Sequence, residues 1–319
     1  MLRILLTAAD LARVRFEAEP GPLIDVALAA RALRRPPVAL FAQWRAGITR
    51  AIDRRVSPLL AVTPPSGPTC AFVEQLCPDL QTGLVRMRTA PREQVRAAIE
   101  DLQTRPTAWL RRLADGDRVA RADLEEATTR LHALAVAPLA NHLVADREMD
   151  VARRSAELGA SGLAAILPKL HHTLQLQGQT LQVERPFTFT HRSEGLGIVL
   201  VPSPFLVDEV RVGFGEGQPA QIFYPTGTPL PSRGGSTEDP LPRLLGGTRA
   251  VVLRALHDGC GTVELSRRAG VSPATVSEHV TVLRDAGLVA TARAGRGVQH
   301  WLTPLGAQLL RRATPPPRP

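Results

Sequence analysis

Lysine is almost missing from this 319-residue chain: Lys169 is the only one among 39 lysines and arginines. So strong an arginine bias, together with much Ala, Gly and Pro, marks a GC-rich genome. Arginine richness alone therefore says little about a nucleic-acid partner. Cysteine is scarce as well, and Cys70, Cys77 and Cys260 form no C-x-x-C pair. An odd count with no framework excludes a secreted disulfide scaffold and fits a reducing cytoplasm. No apolar run approaches the ~20 residues that cross a bilayer, so no membrane partner is expected. The first residues carry one arginine, a brief apolar run and then "TAAD", a helix-capping pattern and not a signal peptide. Catalytic grammar is missing too: there is no G-x-S-x-G elbow, no phosphate-cradling P-loop and no H-E-x-x-H. "GFGEGQ" (213–218) has spaced glycines without the strand-then-helix setting of a dinucleotide site, and reads as a loop. A non-enzymatic chain without a cofactor is expected; the alternative is an enzyme with a C-terminal DNA-binding module.

What is present gathers at the C-terminal end. In "VSPATVSEHVTVLRDAGLV" (271–289), Ser272 is an N-cap and Pro273 sits at the first helical position, where a missing N–H costs nothing. Val276, Val280 and Leu283 share one face, and Gly287 is a stop. The opposite face carries Ala274, Glu278, Thr281 and Asp285, flanked by Thr275 and Ser277. Upstream, "TVELSRRAGVS" predicts a shorter helix with Thr262 as cap, Glu264 in the first turn and Gly270 as its end. Two short helices joined so tightly form a helix-turn-helix, whose second helix enters the major groove. A hairpin follows, "LVATAR" (288–293) and "VQHWL" (298–302) about an "AGRG" turn, with Arg293 and Arg296 at its tip. Thr303-Pro304 then starts a closing helix. The whole is a winged helix.

These residues, with "ARAGRGVQHWLTPLG", resemble the ArsR-type winged-helix family of bacterial transcriptional regulators over roughly 243–312. More loosely, "TAADLARVRF" and "GLGIVLVPSPF" resemble long actinobacterial proteins carrying this module behind an uncharacterised N-terminal domain. The resemblance implies a homodimer on a double-stranded DNA operator, acting as a repressor until an effector loosens it. Ser272, Ala274, Thr275, Ser277, Glu278, Thr281, Arg284, Arg293 and Arg296 are the expected DNA-binding residues. Metal-sensing members place paired cysteines before the turn, or carboxylate and histidine ligands on the final helix. Here the first place offers Cys260 alone, and "PLGAQLLRR" offers no ligand, so no metal is expected at either. Charge distribution agrees: residues 245–319 hold ten arginines and four acids, six of the nine net positive charges.

The front part, residues 1–235, reads as an α+β sensor or dimerisation domain, mostly helical to about 170 and strand-rich over 178–225. Helices are expected at "PLIDVALAARALRR", "PVALFAQWRAG", "PREQVRAAIEDL", "PTAWLRRLADG" and over 117–160, interrupted before Pro138. Strands are expected at "GQTLQVERPFTFT", "GLGIVLVPSPFLV" and "AQIFYPTG". A Pro/Gly/Ser linker (225–242) leads to the DNA-binding domain (236–312), and a disordered tail (313–319) follows. Asp146, Glu148 and Asp150 with Arg147, Arg153 and Arg154 read as a solvated, self-pairing helix face. His171-His172 and His191 lie within reach of one another, but adjacent histidines point different ways, so no metal is expected. A small organic effector would meet the scarce large aromatics Trp44, Trp109, Phe205, Phe223 and Tyr224. A purely structural front domain is the other possibility.

Overall fold

The computed structural model describes residues 1–102, 106–215, 217–231, 241–256, 258–294 and 297–313. Arg296, most of the linker (232–240) and residues 314–319 of the expected tail lie outside them. The chain divides into two compact units, Met1–Arg233 and Gly234–Pro319. Helices dominate and several sheets are present, so the fold is α+β.

The first unit begins with β1 (Leu2–Leu5), α1 (Ala8–Ala12) and β2 (Val14–Phe16). Helices follow as α2 (Pro22–Arg34), α3 (Ala42–Thr49), α4 (Ser57–Val62), α5 (Leu80–Thr89), α6 (Arg92–Glu100), α7 (Ala108–Ala114), α8 (Arg118–Leu131), α9 (Ala140–Ser161) and α10 (Leu163–Leu170). A π turn (His132–Val136) and a 3-10 turn (Ala137–Leu139) separate α8 from α9, because Pro138 cannot continue the α-helical ladder. Strands β3 (Leu174–Gln177), β4 (Thr180–Val183), β5 (Phe189–Arg192), β6 (Ile198–Ser203), β7 (Arg211–Gly213) and β8 (Ala220–Pro225) complete the unit.

Two four-stranded sheets result, ordered β3-β4-β1-β5 and β2-β6-β8-β7. Their N-terminal strands were not expected from sequence. "LRIL" pairs with Thr180–Val183 on one side and Phe189–Arg192 on the other, and "VRF", read as helix, pairs in parallel with Ile198–Leu200. The capping box of "TAAD" does form: Thr7 Oγ1 accepts from the Asp10 N–H at 3.2 Å, and Asp10 accepts from the Thr7 N–H at 2.8 Å. The same carboxylate accepts from Ser193 Oγ and Gly197 N at 2.7 and 2.9 Å, joining α1 to the loop before β6. Burial would push Asp10 up, but these donors overcome it and hold the carboxyl at about 2.

Strand β6 is buried along its whole length. Its side chains alternate between two cores, Val199 and Val201 against the helices and Ile198 and Leu200 against α10 and the other sheet. The charged stretch on α9 is the clearest departure from expectation. Asp146, Arg147, Asp150 and Arg154 are buried, not solvated. Arg147 pairs with Asp25 of α2 and donates through Nε to Pro202 O at 3.2 Å, while Asp150 accepts from Tyr224 Oη at 2.6 Å.

The second unit comprises α11 (Leu241–Leu245), α12 (Gly247–Arg254), β9 (Cys260–Gly261), α13 (Thr262–Ala269), α14 (Pro273–Asp285), β10 (Val289–Ala294), β11 (Gly297–Leu302) and α15 (Pro304–Ala313). Val252, Leu253, Leu256, Leu265, Val276, Val280, Leu283, Leu288 and Val289 form its core.

Candidate nucleic-acid interface

Helix α14 has the start its sequence predicts. Ser272 Oγ accepts from the Thr275 N–H at 3.1 Å, and Pro273 occupies the first turn. Val276, Val280 and Leu283 are buried, which seats one face of the helix on the core. Ala274, Ser277, Glu278, Thr281 and Arg284 are exposed, Thr275 and His279 half-buried. Hydroxyls on the outer face are occupied by their own helix: Ser277 Oγ donates to Pro273 O at 3.0 Å and Thr281 Oγ1 to Ser277 O at 2.8 Å. Thr275 Oγ1 lies 2.8 Å from Ser272 Oγ. The face is therefore compact, small and polar.

Helix α13 ends at Gly270, whose φ of 68° is the left-handed conformation that glycine adopts without a Cβ penalty. Only Gly270, Val271 and Ser272 separate α13 from α14, so the two helices meet through a tight turn. Its start differs from expectation. Gly261, not Thr262, is the N-cap, and Thr262 is the first helical residue. Its Oγ1 instead lies 2.9 Å from His300 Nε2, while His300 Nδ1 lies 2.9 Å from Thr291 Oγ1. One buried imidazole thus ties the first helix to both strands of the wing.

The wing itself is a three-stranded sheet, β10-β11-β9. The hairpin runs in register from Val289↔Leu302 to Ala294↔Gly297, and Cys260–Gly261 adds an edge that two residues of sequence could not announce. Helix α15 closes the unit. Thr303 donates through its N–H to Leu288 O at 3.1 Å and through Oγ1 to Gly287 O at 2.6 Å. Gly306 then passes so near this segment that a Cβ would meet Leu288 O at 2.0 Å. The glycine of "LTPLG" is there to let helix and backbone touch.

Not every arginine of this unit is available to a phosphate. Arg267 and Arg268 hold Glu264 at 2.7 and 2.8 Å, and these donors keep its carboxyl at about 2. Arg284 pairs with Asp285 at 2.9 Å. Arg293 is exposed on β10, without an ion pair among the described residues.

The expected aromatic set of the first unit comes together in part, in a packed core: Trp44, Phe205 and Phe223 share the helical core with Trp109 against it, and Tyr224 does not. Trp44 is fully buried, its Nε1 donating to Ala135 O at 3.0 Å, and its ring lies 5.5 Å from that of Phe205 in the helical core. Tyr224 faces the other core, because Phe223 and Tyr224 are neighbours on a strand and point to opposite faces. Trp109 is half-buried, donating to Asp123 Oδ2 at 3.1 Å. Phe223 lines a cleft of about 540 Å³ together with Glu74, Arg86, Gln94, Arg211 and Gln221. Arg211 and Glu74 pair across its wall at 2.9 Å.

Among the described residues, no helix is long and apolar enough to cross a membrane. No curated protein and no solved structure matches the chain. Residues 244–292 match the family described as Helix-turn-helix domain, a span that runs from α11 into the wing. The chain carries a C-terminal helix-turn-helix domain of the kind that binds DNA in transcription regulators.

Proposed function

We propose that the protein is a sequence-specific repressor of the ArsR type, acting in the cytoplasm as a homodimer on an inverted-repeat operator. The observation that carries this reading is the outer face of α14: a capped helix, seated by its apolar stripe, presents small or short polar side chains and one carboxylate, Glu278, over its first two turns. Such a face lets the backbone approach base edges in the major groove. Ser272, Ala274, Thr275, Ser277, Glu278 and Thr281 are the residues we assign to that contact. Arg293 and Arg296 would add phosphate or minor-groove contacts from the wing. Arg284 would reach a phosphate only by leaving Asp285. Exposed Leu244 and Val251 on the first two helices of the unit supply apolar surface that supports pairing of two copies.

A footprint of the full-length protein on the DNA upstream of its own gene, at one stated salt concentration, tests this. A protected inverted repeat with half-sites about ten base pairs apart is the expected result. Salt-sensitive smearing without a footprint contradicts it. For the N-terminal unit we propose a sensing role, with the cleft beside Arg211 and Glu74 as the place for a small polar effector. We read the chain as a regulator and not an enzyme; turnover that survives deletion of residues 240–319 would overturn that.

A further inference from the structure

The N-terminal unit holds a cluster that the DNA-binding reading does not use. His171 follows the last residue of α10, its N–H donating to Leu167 O at 3.2 Å, and His172 comes next. Asp208 stands opposite, in the chain between β6 and β7. One ligand atom from each of the three lies within 4.8 Å of the others, against the sequence-based expectation that the two imidazoles diverge. Their rings are in fact 4.3 Å apart between centroids. We propose that His171, His172 and Asp208 bind one divalent transition-metal ion, with zinc as the best fit.

His171 is the anchor. Its side chain is 7% exposed, and its Nε2 is buried, has no hydrogen-bond partner and sits 3.6 Å from Asp208 Oδ1. A buried polar atom left unpaired asks for an explanation. The other nitrogen is already occupied: Nδ1 lies 2.8 Å from Thr173 Oγ1. Nδ1 also accepts from the Thr173 N–H at 3.3 Å, so ligation through Nε2 takes the tautomer with the proton on Nδ1, shared with the hydroxyl, in place of that backbone bond.

Bonds of about 2.0–2.2 Å put tetrahedral ligands roughly 3.3–3.5 Å apart. The cluster must close by about an ångström, and the two ligands that must move can do so. His172 is exposed and Asp208 is 82% exposed. The backbone beside Asp208 is nevertheless held, because Glu209 is bound by Arg31 at 3.1 Å and by Arg35. Arg185 is the nearby cation that acts against a metal, and Glu209 offsets it. Two imidazoles and one carboxylate, with water in the fourth position, favour zinc over magnesium or calcium.

The test needs no DNA and so stands apart from the fate of the regulator reading. The full-length metal-free protein is titrated with Co²⁺, followed by its visible absorption, and then with Zn²⁺. One Co²⁺ per chain, displaced by one Zn²⁺, is expected. His172→Ala and Asp208→Asn, both at exposed side chains, should each weaken binding by about tenfold or more. His191→Ala, whose ring stacks on Phe214 at 4.0 Å, should leave it unchanged. Absence of stoichiometric zinc binding in the wild-type protein overturns the proposal. So does binding that survives either ligand substitution within threefold.

Discussion

Thr262, at the start of the first helix of the helix-turn-helix, is hydrogen-bonded to His300 of the wing at 2.9 Å. The same ring reaches Thr291 on β10, so the reading helices and the wing share one buried contact. Burial lowers the His300 pKa from its ordinary 6.5. The unfolded chain then takes up the proton at a higher pH than the folded one and binds more protons as the solution is acidified. Stability contributed by His300 is complete above about pH 6.5 and is lost as pH falls through the folded value. Thermal unfolding from pH 7 to 5 should show a loss in the wild-type protein that is smaller in His300→Gln. His132 and His171 are shifted in the same direction and cancel in that comparison. Identical slopes in the two proteins would contradict the assignment.

Gly306→Ala places a methyl 2.0 Å from Leu288 O, a backbone atom that cannot rotate away. Helix α15 must shift, at a cost of about 1–3 kcal/mol by comparison with other overpacked sites. Urea unfolding of the variant should show it. A neutral substitution would mean that α15 does not rest on this segment.

Asp25 and Arg147 form a buried ion pair between α2 and α9. Removing the carboxylate alone, as in Asp25→Ala, leaves a buried guanidinium uncompensated and should cost about 3–5 kcal/mol. The double change Asp25→Leu, Arg147→Met should recover most of that loss. Two single losses that simply add would show that the residues do not interact.

Arg293→Ala should weaken DNA binding evenly across sequences and flatten the dependence on log salt by about one unit. Ser277→Ala should instead change which sites are preferred, by about 1–3 kcal/mol at the affected base pair. Fluorescence anisotropy with two duplexes at several salt concentrations separates the two effects.

Legibility in the sequence followed the range of the interactions. Helix α14 could be read residue by residue because its cap, proline, apolar stripe and terminal turn are all local. Strand β1 could not. Four residues, "LRIL", become a strand only because Thr180–Val183 and Phe189–Arg192 arrive from far along the chain to pair with them. The charges of α9 misled for a related reason: i,i+4 spacing looks the same whether a helix faces water or a buried partner. What decides between them is Asp25, 122 residues from Arg147. Thr262 looked like a cap by its position, and its role emerged only when His300 came into reach across 38 residues. For the aromatics, alternation along β8 sent Phe223 and Tyr224 to different cores, which composition could not foretell.

The most direct test of the central claim is selection of bound duplexes from a random pool by the full-length protein at fixed salt, repeated with Ser277→Ala. Enrichment of one inverted repeat by the wild-type protein, with half-sites about ten base pairs apart, and a changed base preference in the variant are expected. A pool that stays random, or a motif identical in both proteins, would contradict the claim that α14 reads the sequence.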